Sequence, residues 1–547
     1  MSTPIVLLVG QIPLSIGYLH AALEKNKITV HSLILDDALP VHPQSINHTW
    51  FSQEFSANWM LSKKQQITNQ IRRILKLKHV IMPEDIAQAL THFIQTQAKK
   101  LTFIRSKLNY PVSNFIEPSK SALQLLYPQT LATIGDNAFF CTCMYIDKYN
   151  PDIIGFQVLP SERQVLFSII KKIHMRYPSK KIIAGGLFPT TMYPQLFQLF
   201  PFLIIVCGEG EETVPTLVQQ LHHNGDLESI PGIAYINQGQ IIKTAERPLL
   251  LKIDTIPFPE RTITNIPPEH ETAIWIITSR GCPAQCSFCA LPAISQRHPR
   301  YRSIENIIAE LEQIQQKYPQ VKTIKIADDS FFINPQRVID FCTEVINRKM
   351  TFTFTCQGRI KPITETMVKK LAAAGFTQIS LGLESGSDKI LANAHKGICR
   401  QDMIKALSLF SKTNINVCLN LMVGLPGETW ETIKETMHFV KQLQHIHYIF
   451  QVNIGIVRVY PKTELYQELL DKNIVTDAIW HQKYESPVYT AEHSVETLLQ
   501  MYYFLETTLC TKKIITLKGF LYQFPILVFA KNKPRIIKQI LQYIFRR

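Results

Sequence analysis

The strongest constraint on the fold is the regular alternation of short apolar and longer amphipathic segments between residues 254 and 474. The apolar segments, such as residues 273–278 and 416–423, have the length of buried strands, and the segments between them, such as 304–317, have helical periodicity. Strands that alternate with helices form parallel sheets, because each return to the next strand needs a crossover. Six such strand–helix or strand units predict a partial (β/α)6 TIM barrel, whose active site lies at the carboxyl ends of its strands.

A second alternating region precedes this one. Residues 5–9 and 28–35 are predicted strands around a helix, and the pattern resumes at 152–156. Between them, residues 56–107 are polar and helix-periodic, which predicts a helical insertion. The chain is therefore predicted to be an α/β protein of three parts. These are a Rossmann-like N-terminal domain (1–250, with the insertion at about 55–108), the partial TIM barrel (251–475) and a small helical, basic C-terminal region (476–547).

Composition excludes several classes of protein. The chain has no run of 18 apolar residues, so no membrane span is predicted, and its start does not resemble a signal peptide. Its 11 cysteines are irregularly spaced, which argues against a disulfide framework and for a reducing, cytoplasmic location.

The formal net charge of +15 is concentrated towards the end of the chain, where nine basic residues and no acidic one follow from Lys512 onward. An apolar stretch, residues 520–530, lies between these basic clusters. This pattern is compatible with a peripheral membrane contact, a lipid-like substrate or a solvated helical cap. No RNA-binding domain accompanies it, so a nucleic-acid partner is not expected.

Three cysteines directly follow the predicted strand 273–278, at Cys282, Cys286 and Cys289. Three thiolates on one tight loop can bind three irons of a cubane cluster and leave the fourth iron open for a substrate. The alternative is a structural zinc site, which needs a fourth Cys or His, and His298 is the local candidate.

This Cys-x3-Cys-x2-Cys spacing, with an aromatic residue before the last Cys, resembles the signature of the radical S-adenosylmethionine (SAM) superfamily. The resemblance implies a [4Fe-4S] cluster on the three cysteines, with SAM chelated at the open iron and cleaved reductively. It also implies an electron donor such as flavodoxin or ferredoxin. The residues that the resemblance assigns to SAM are Phe288, Asp328, Asp329, Arg359, Glu384, Gly424 and Gly427.

Their roles follow from the same resemblance. Asp328 and Asp329 would lie near the SAM amino group, Arg359 would face the SAM carboxylate, and Glu384 would accept hydrogen bonds from the ribose. Taken singly, each has a structural alternative: a surface carboxylate, a helix cap or a plain turn. A further strand-end segment, Tyr-Pro-Lys-Thr, resembles a Tyr-Pro-Gly-Thr loop of the family but has Lys462 where Gly is usual.

The N-terminal domain resembles the cobalamin-binding domain of one large radical SAM subgroup. The resemblance rests on segments 151–155, 184–190 and 207–213, and it assigns Gly185 and Gly186 to cobalamin contacts. The Asp-x-His-x-x-Gly motif that supplies a histidine to cobalt elsewhere is absent, so no lower ligand is identified. The alternative is a domain that keeps the fold without the cofactor.

The function that follows is cobalamin-dependent methyl transfer from SAM to an unactivated carbon of a small-molecule or lipid-like substrate. A radical SAM cyclase or oxidase is the first alternative, and a cluster-bearing binding protein without turnover is the second. Two further groups could form sites but are interpreted as structural. They are the thiol pair Cys141 and Cys143, and the histidines His445 and His447, expected on a loop or strand edge.

Overall fold

A computed structural model describes residues 3–10, 13–35, 128–160, 163–262, 272–481 and 487–509. The predicted helical insertion at about 55–108 and the basic tail from Lys512 onward lie outside these residues. Within them the predicted α/β fold class is confirmed: two mainly parallel sheets are each flanked by helices.

The first sheet has seven strands in the order β2-β1-β3-β4-β5-β6-β7. The strands are β1 (Ile5–Gly10), β2 (Thr29–Ile34), β3 (Ile153–Gln157), β4 (Lys181–Gly185), β5 (Ile204–Val206), β6 (Ile233–Asn237) and β7 (Gln240–Lys243). The first five run parallel, and β6 and β7 add an antiparallel hairpin beside β5.

Strand β1 shows why the predicted strands read as unbroken apolar runs. Leu7 and Val9 pack on one face of the sheet, and Val6 and Leu8 pack on the other. A strand covered by helices on both faces has no solvent side, so it shows no polar alternation. The covering helices are Pro13–Lys25, Pro128–Tyr149, Arg163–Arg176, Leu187–Leu199 and Gly210–His222.

The second sheet has six parallel strands in the order β15-β14-β13-β12-β11-β8. A separate two-stranded ribbon, β9 with β10, follows β8 in the chain. The strands are β8 (Ala273–Ile276), β9 (Ser279–Arg280), β10 (Arg300–Tyr301), β11 (Thr323–Ile326), β12 (Thr353–Gly358), β13 (Phe376–Glu384), β14 (Asn416–Val423) and β15 (Ile449–Ile456).

Most helices of this half lie on the convex side of the open barrel, whereas the short helices Pro292–Ser295 and Glu464–Asp471 pack at its carboxyl end, next to the first sheet. Ser303, Asn334 and Thr429 each cap a following helix by accepting a hydrogen bond from the backbone N–H three residues on. The helices are Pro292–Ser295, Ile304–Lys317, Pro335–Asn347, Glu365–Ala373, Asp388–Asn393, Arg400–Phe410, Trp430–Ile446, Glu464–Asp471 and Val495–Leu509.

The carboxyl end of the barrel faces the first sheet. Val457 and Val459, which follow β15, belong to the same buried cluster as Leu7 and Val9 of β1. Trp480 is fully buried there, with its ring 5.5 Å from that of Phe188. The two sheets are therefore held together by one continuous apolar core at the end where the barrel strands finish. Among the described helices, none is long and apolar enough to cross a membrane.

Candidate active site

The three-cysteine loop is closed at its base by the short ribbon of β9 and β10. Ser279 and Arg280 pair with Tyr301 and Arg300, so residues 281–299 form a loop with a fixed stem. Gly281 opens the loop with φ 88°, and a Cβ at this position would lie 2.4 Å from the carbonyl oxygen of His298. Only glycine fits this turn without displacing the opposite side of the loop.

Asp328 fixes the start of the same loop through hydrogen bonds. Its Oδ1 accepts hydrogen bonds from the backbone N–H groups of Thr278 and Ser279 at 2.6 and 3.0 Å, and its Oδ2 accepts from both hydroxyls. Asp329 Oδ2 accepts from the N–H of Gly281 at 2.7 Å. Asp328 is fully buried, and both its oxygens are used within the protein. Its geometry is that of a positioning residue beneath the loop.

The three thiols lie in the first half of the loop, with Cys286 buried and Cys282 and Cys289 half-buried. Burial raises the pKa of the Cys282 and Cys289 thiols, and neighbouring backbone N–H groups counteract this by bonding to the sulfurs. Each of the three thiols also affects its neighbours electrostatically, because they lie close together. The Nη1 of Arg359 donates to the sulfur of Cys286 at 3.3 Å.

Three thiols on one stem-closed loop are a donor set that can bind three irons of a cubane cluster. In the described part of the chain, no group of three or more His, Cys, Asp or Glu side chains is arranged around one ion. In a cubane each cysteine binds a different iron, so the sulfurs stand further apart than the ligands of one ion. His298, the zinc alternative, contributes its carbonyl oxygen to the packing against Gly281.

Glu384 and Lys396 form a buried ion pair next to the loop. Lys396 Nζ lies 2.6 Å from Glu384 Oε1, with both side chains at least nine-tenths buried, and 5.8 Å from the ring centroid of Phe288. Arg359 donates to the carbonyl oxygen of Lys396. Glu384, the last residue of β13, has φ 66°, a left-handed backbone conformation that is uncommon for residues other than glycine.

Lys396 is a candidate site residue that sequence reasoning missed. It follows Glu384 by 12 residues, beyond the helix Asp388–Asn393, so no local pattern links the two. The available signal was Glu384 itself, because a buried carboxylate requires a cationic or hydrogen-bonding partner. A Cβ at position 382 would lie 2.9 Å from Lys396 Nζ, so the lack of a side chain at Gly382 makes room for the ion pair.

The loop from Gly424 to Gly427 follows β14, and both glycines have positive φ, 90° and 79°. Gly424 N–H donates to Glu428 Oε2, and Gly427 N–H donates to both oxygens of Glu492. Burial raises the pKa of Glu428 to about 8. Its Oε1 has no hydrogen-bond partner among the described residues. The loop is thus fixed by two carboxylates, one of them buried.

A cavity of about 600 Å³ lies between the two sheets, at the carboxyl ends of β4 and β5. It is lined on one side by residues after β5, including Gly208, and on the other by Ile294 of the cysteine loop and by Lys462. A Cβ at Gly208 would meet no atom within 4 Å, so this glycine opens directly to the cavity. Lys462 has φ 65°, which explains why glycine is usual at its position.

The two glycines assigned to cobalamin end β4 but are not among the residues that line this cavity. A Cβ at Gly186 would lie 3.0 Å from the carbonyl oxygen of Val158, and one at Gly185 would lie 3.6 Å from Val206. Close packing and a φ of 108° account for the glycine at 186, whereas a Cβ at 185 would make only ordinary van der Waals contact. Among the described residues that line the cavity there is no histidine.

An ion-pair network joins the first sheet to the cysteine loop. Glu209, directly after β5, binds Arg300 at 2.6 Å and Arg280 at 3.1 Å. Arg280 also binds Glu211 at 2.6 Å. Burial alone would raise the pKa of Glu211, but the Arg280 guanidinium holds it below its usual value. Arg280 and Arg300 are the paired stem residues, so this network fixes the base of the loop.

The two other sequence candidates have structural positions. Cys141 and Cys143 lie within the helix Pro128–Tyr149 at a spacing of two, so their side chains do not face each other. His445 is in the last turn of Trp430–Ile446, and His447 Nε2 lies 3.0 Å from the carbonyl oxygen of Ile415. The expectation of a loop or strand edge is therefore wrong for His445.

Comparison with known proteins agrees with this geometry. Residues 276–440 match the model of the Radical SAM superfamily. The chain is 27% identical over 399 residues to the uncharacterized methyltransferase PH0819 of Pyrococcus horikoshii, covering 71% of this chain and 86% of that protein. It is 28% identical to the anaerobic magnesium-protoporphyrin IX monomethyl ester cyclase of Rubrivivax gelatinosus, covering 61% of each.

Two solved structures share the fold over both sheets. The cobalamin-dependent SAM radical enzyme OxsB, with aqua-cobalamin and SAM bound, superposes with a TM-score of 0.61 at 19% identity, covering 99% of this chain and 71% of OxsB. The radical SAM methyltransferase TsrM from Kitasatospora setae, with cobalamin and a [4Fe-4S] cluster bound, superposes with a TM-score of 0.58 at 16% identity. The match covers 86% of this chain and 75% of TsrM.

Proposed function

We propose that this chain, a radical SAM enzyme, transfers a methyl group from SAM to an unactivated carbon of a small molecule, with cobalamin as the second cofactor. In this proposal residues 1–250 bind cobalamin and residues 251–475 bind the cluster and SAM. The observation that carries it is the cavity between the two sheets, which adjoins the cysteine loop. Two cofactor sites that share a wall suit a reaction in which one group passes between them.

The cysteine loop supports the cluster and SAM part of the proposal. Cys282, Cys286 and Cys289 would hold three irons, since they are the three thiols on the stem-closed loop. Glu384 and Lys396 would present one anionic and one cationic group to SAM, because they lie beside Phe288 and Arg359. A carboxylate suits ribose hydroxyls, and an ammonium suits the amino-acid carboxylate.

The cavity supports the cobalamin part. Its volume of about 600 Å³ is that of a ligand site and suits one arm of a large cofactor. At Gly208 the backbone faces the cavity without a side chain. The carboxyl edge of a parallel sheet is where such folds bind ligands. When bound, cobalamin would supply a metal centre able to carry a methyl group. The protein's part is to position that centre opposite the SAM site and to exclude water.

Anaerobic purification with hydroxocobalamin supplied tests the proposal. Near four irons and one cobalt per chain are expected, together with 5′-deoxyadenosine and S-adenosylhomocysteine when SAM and a reductant such as flavodoxin are added. Formation of both products is the signature of methyl transfer that uses two SAM molecules. Iron without cobalt, and deoxyadenosine without S-adenosylhomocysteine, would contradict methyl transfer.

That second outcome would favour cyclisation or oxidation by the same radical site. The observation behind this candidate is the similarity to the Rubrivivax gelatinosus cyclase, which matches the chain at an identity close to that of PH0819.

A further inference from the structure

We propose that the concave face of the barrel binds substrate through a ladder of hydrogen-bonding side chains on β13, β14 and β15. The substrate is then a small polar molecule with a planar hydrogen-bonding group, such as an amide or a heterocyclic base, and not a hydrocarbon lipid. This inference rests on the proposed function only in taking the barrel as the place of reaction. It concerns Ser380, Asn420, Gln451 and Asn453, none of which contacts the cysteine loop in the hydrogen bonds described.

The alternation along β14 and β15 assigns these side chains to the concave face. Leu419 and Leu421 are buried beneath the outer helices, and Asn420 between them is half-buried. On β15, Val452 and Ile454 join the same core, and Asn453 between them is exposed. Since successive residues of a strand point to opposite faces, the two amides point into the barrel.

The amides are joined across three neighbouring strands. Asn420 Nδ2 lies 3.1 Å from the hydroxyl of Ser380, and Asn453 Nδ2 lies 2.9 Å from Asn420 Oδ1. Gln451 Nε2 continues the ladder to Asn453 Oδ1 at 2.5 Å. Each group orients the next, so the exposed Gln451 and Asn453 are presented in a fixed direction. Because these amides are already ordered, ligand binding loses less side-chain conformational entropy than it would with mobile amides.

The face opposite the ladder in the open barrel carries an aromatic surface. Trp275 of β8 is 51% exposed, and Lys325 Nζ lies 5.2 Å from its ring centroid. At Gly455, two residues beyond Asn453, a Cβ would meet no atom within 4 Å, so the space above the ladder is open. An exposed indole and an ordered row of amides together suit a planar group that stacks and forms hydrogen bonds at its edge.

The ladder also disfavours a hydrocarbon occupant. An alkyl chain that covered the exposed amides of Gln451 and Asn453 would remove their outward polar groups from water without offering hydrogen bonds in return, which is unfavourable. A site built to hydrogen-bond its ligand rejects analogues that lack the matching groups far more strongly than an apolar site rejects an extra polar group. The lipid-like substrate considered from the sequence therefore does not fit this face.

Ligand-detected saturation-transfer NMR on the anaerobic holoenzyme tests the assignment. The probes are uracil, nicotinamide and N-acetyltryptophanamide, which are polar planar compounds without the ribose that the SAM site would recognise, and decanol and geraniol as alkyl compounds. The variants are Asn420→Leu and Asn453→Leu, and the matched control is Asn347→Leu, since Asn347 is exposed at the end of the helix Pro335–Asn347. Asn453 is exposed, so its variant is expected to fold even if Asn420→Leu does not.

At least one polar probe is expected to bind the wild type and the Asn347→Leu control in preference to both alkyl compounds. Each ladder variant is expected to weaken that binding about tenfold or more. Preference for decanol or geraniol, absence of binding by every polar probe, or unchanged binding in Asn453→Leu would each overturn the assignment. Binding is scored without SAM turnover, so loss of deoxyadenosine formation tells against the proposed function and not against this inference.

Discussion

Replacing Asp328 with Asn is expected to loosen the start of the cysteine loop without touching any cofactor. The native carboxylate accepts four hydrogen bonds from Thr278 and Ser279, two from backbone N–H groups and two from hydroxyls. In the variant the amide oxygen keeps the two N–H bonds, and the amide nitrogen faces two hydroxyls that must turn to accept. The change removes the charge from every one of these contacts.

The cost follows from the number of bonds that lose their ionic partner. A hydrogen bond to a charged group contributes about 1.5–3 kcal/mol and a neutral one about 1 kcal/mol. The loss is about 0.5–2 kcal/mol per bond, so over four bonds at a fully buried site the free energy of unfolding should fall by about 2–8 kcal/mol. Asp340→Asn is the matched control, because Asp340 is exposed on a helix and its change should cost less than about 0.5 kcal/mol.

Urea unfolding of both apo variants measures this difference, and iron content and KM for SAM are measured on the reconstituted proteins. A positioning role for Asp328 predicts lower stability and reduced iron retention, with KM little changed in the fraction that holds a cluster. Full stability and iron content combined with a raised KM for SAM would refute the reasoning. That result would instead favour the SAM contact suggested by sequence resemblance.

Three other predictions use the same site. Cys286→Ala should abolish 5′-deoxyadenosine formation and lower the iron content, whereas the control Cys141→Ser should keep both; a normal yield from Cys286→Ala would rule out the cluster assignment. Lys396→Met leaves Glu384 buried without its cation, so the free energy of unfolding should fall by about 3–5 kcal/mol. Lys396→Arg should recover part of that stability and part of the SAM affinity, which equilibrium dialysis measures. Burial raises the pKa of Glu428 from 4.5 to about 8. The folded state therefore holds this proton more tightly than the unfolded state, and the stability that Glu428 contributes below pH 4.5 is lost as the pH rises to about 8. Glu428→Gln should flatten the fall in urea midpoint across that same interval, and an unchanged slope would contradict this.

The strands and helices were largely predictable because most are buried on a regular period. The predicted helix 304–317 and the predicted strand 416–423 coincide with the observed elements. The hairpin of β6 and β7 was missed, since β7 is mostly exposed at the sheet edge and lacks an apolar pattern. A periodic pattern of apolar residues arises only where one or both faces of an element are buried, so exposed edge strands are the hardest to predict from sequence.

Within the candidate site, the sequence indicated which loops matter better than what each side chain does. Cys282 and its two partners were identifiable because their spacing reflects a local turn. The role of Asp328 was not, because its four hydrogen bonds reach residues 49 and 50 positions away. Lys396 was missed for the same reason, as its contact with Glu384 depends on how a helix and a loop fold back. Long-range polar contacts are set by tertiary structure and leave no short motif.

The ion-pair network of Glu209 has a consequence for how such proteins are recombined. Arg280 and Arg300 are largely buried, and each takes its carboxylate partner from the other half of the molecule. A chimera that joined this barrel to a different N-terminal domain would leave both guanidinium groups buried without counter-charges, unless the new domain carried acids at matching positions. The two halves are thus not interchangeable modules, and attempts to swap substrate ranges should graft residues of the barrel's concave face while leaving the boundary between the halves intact.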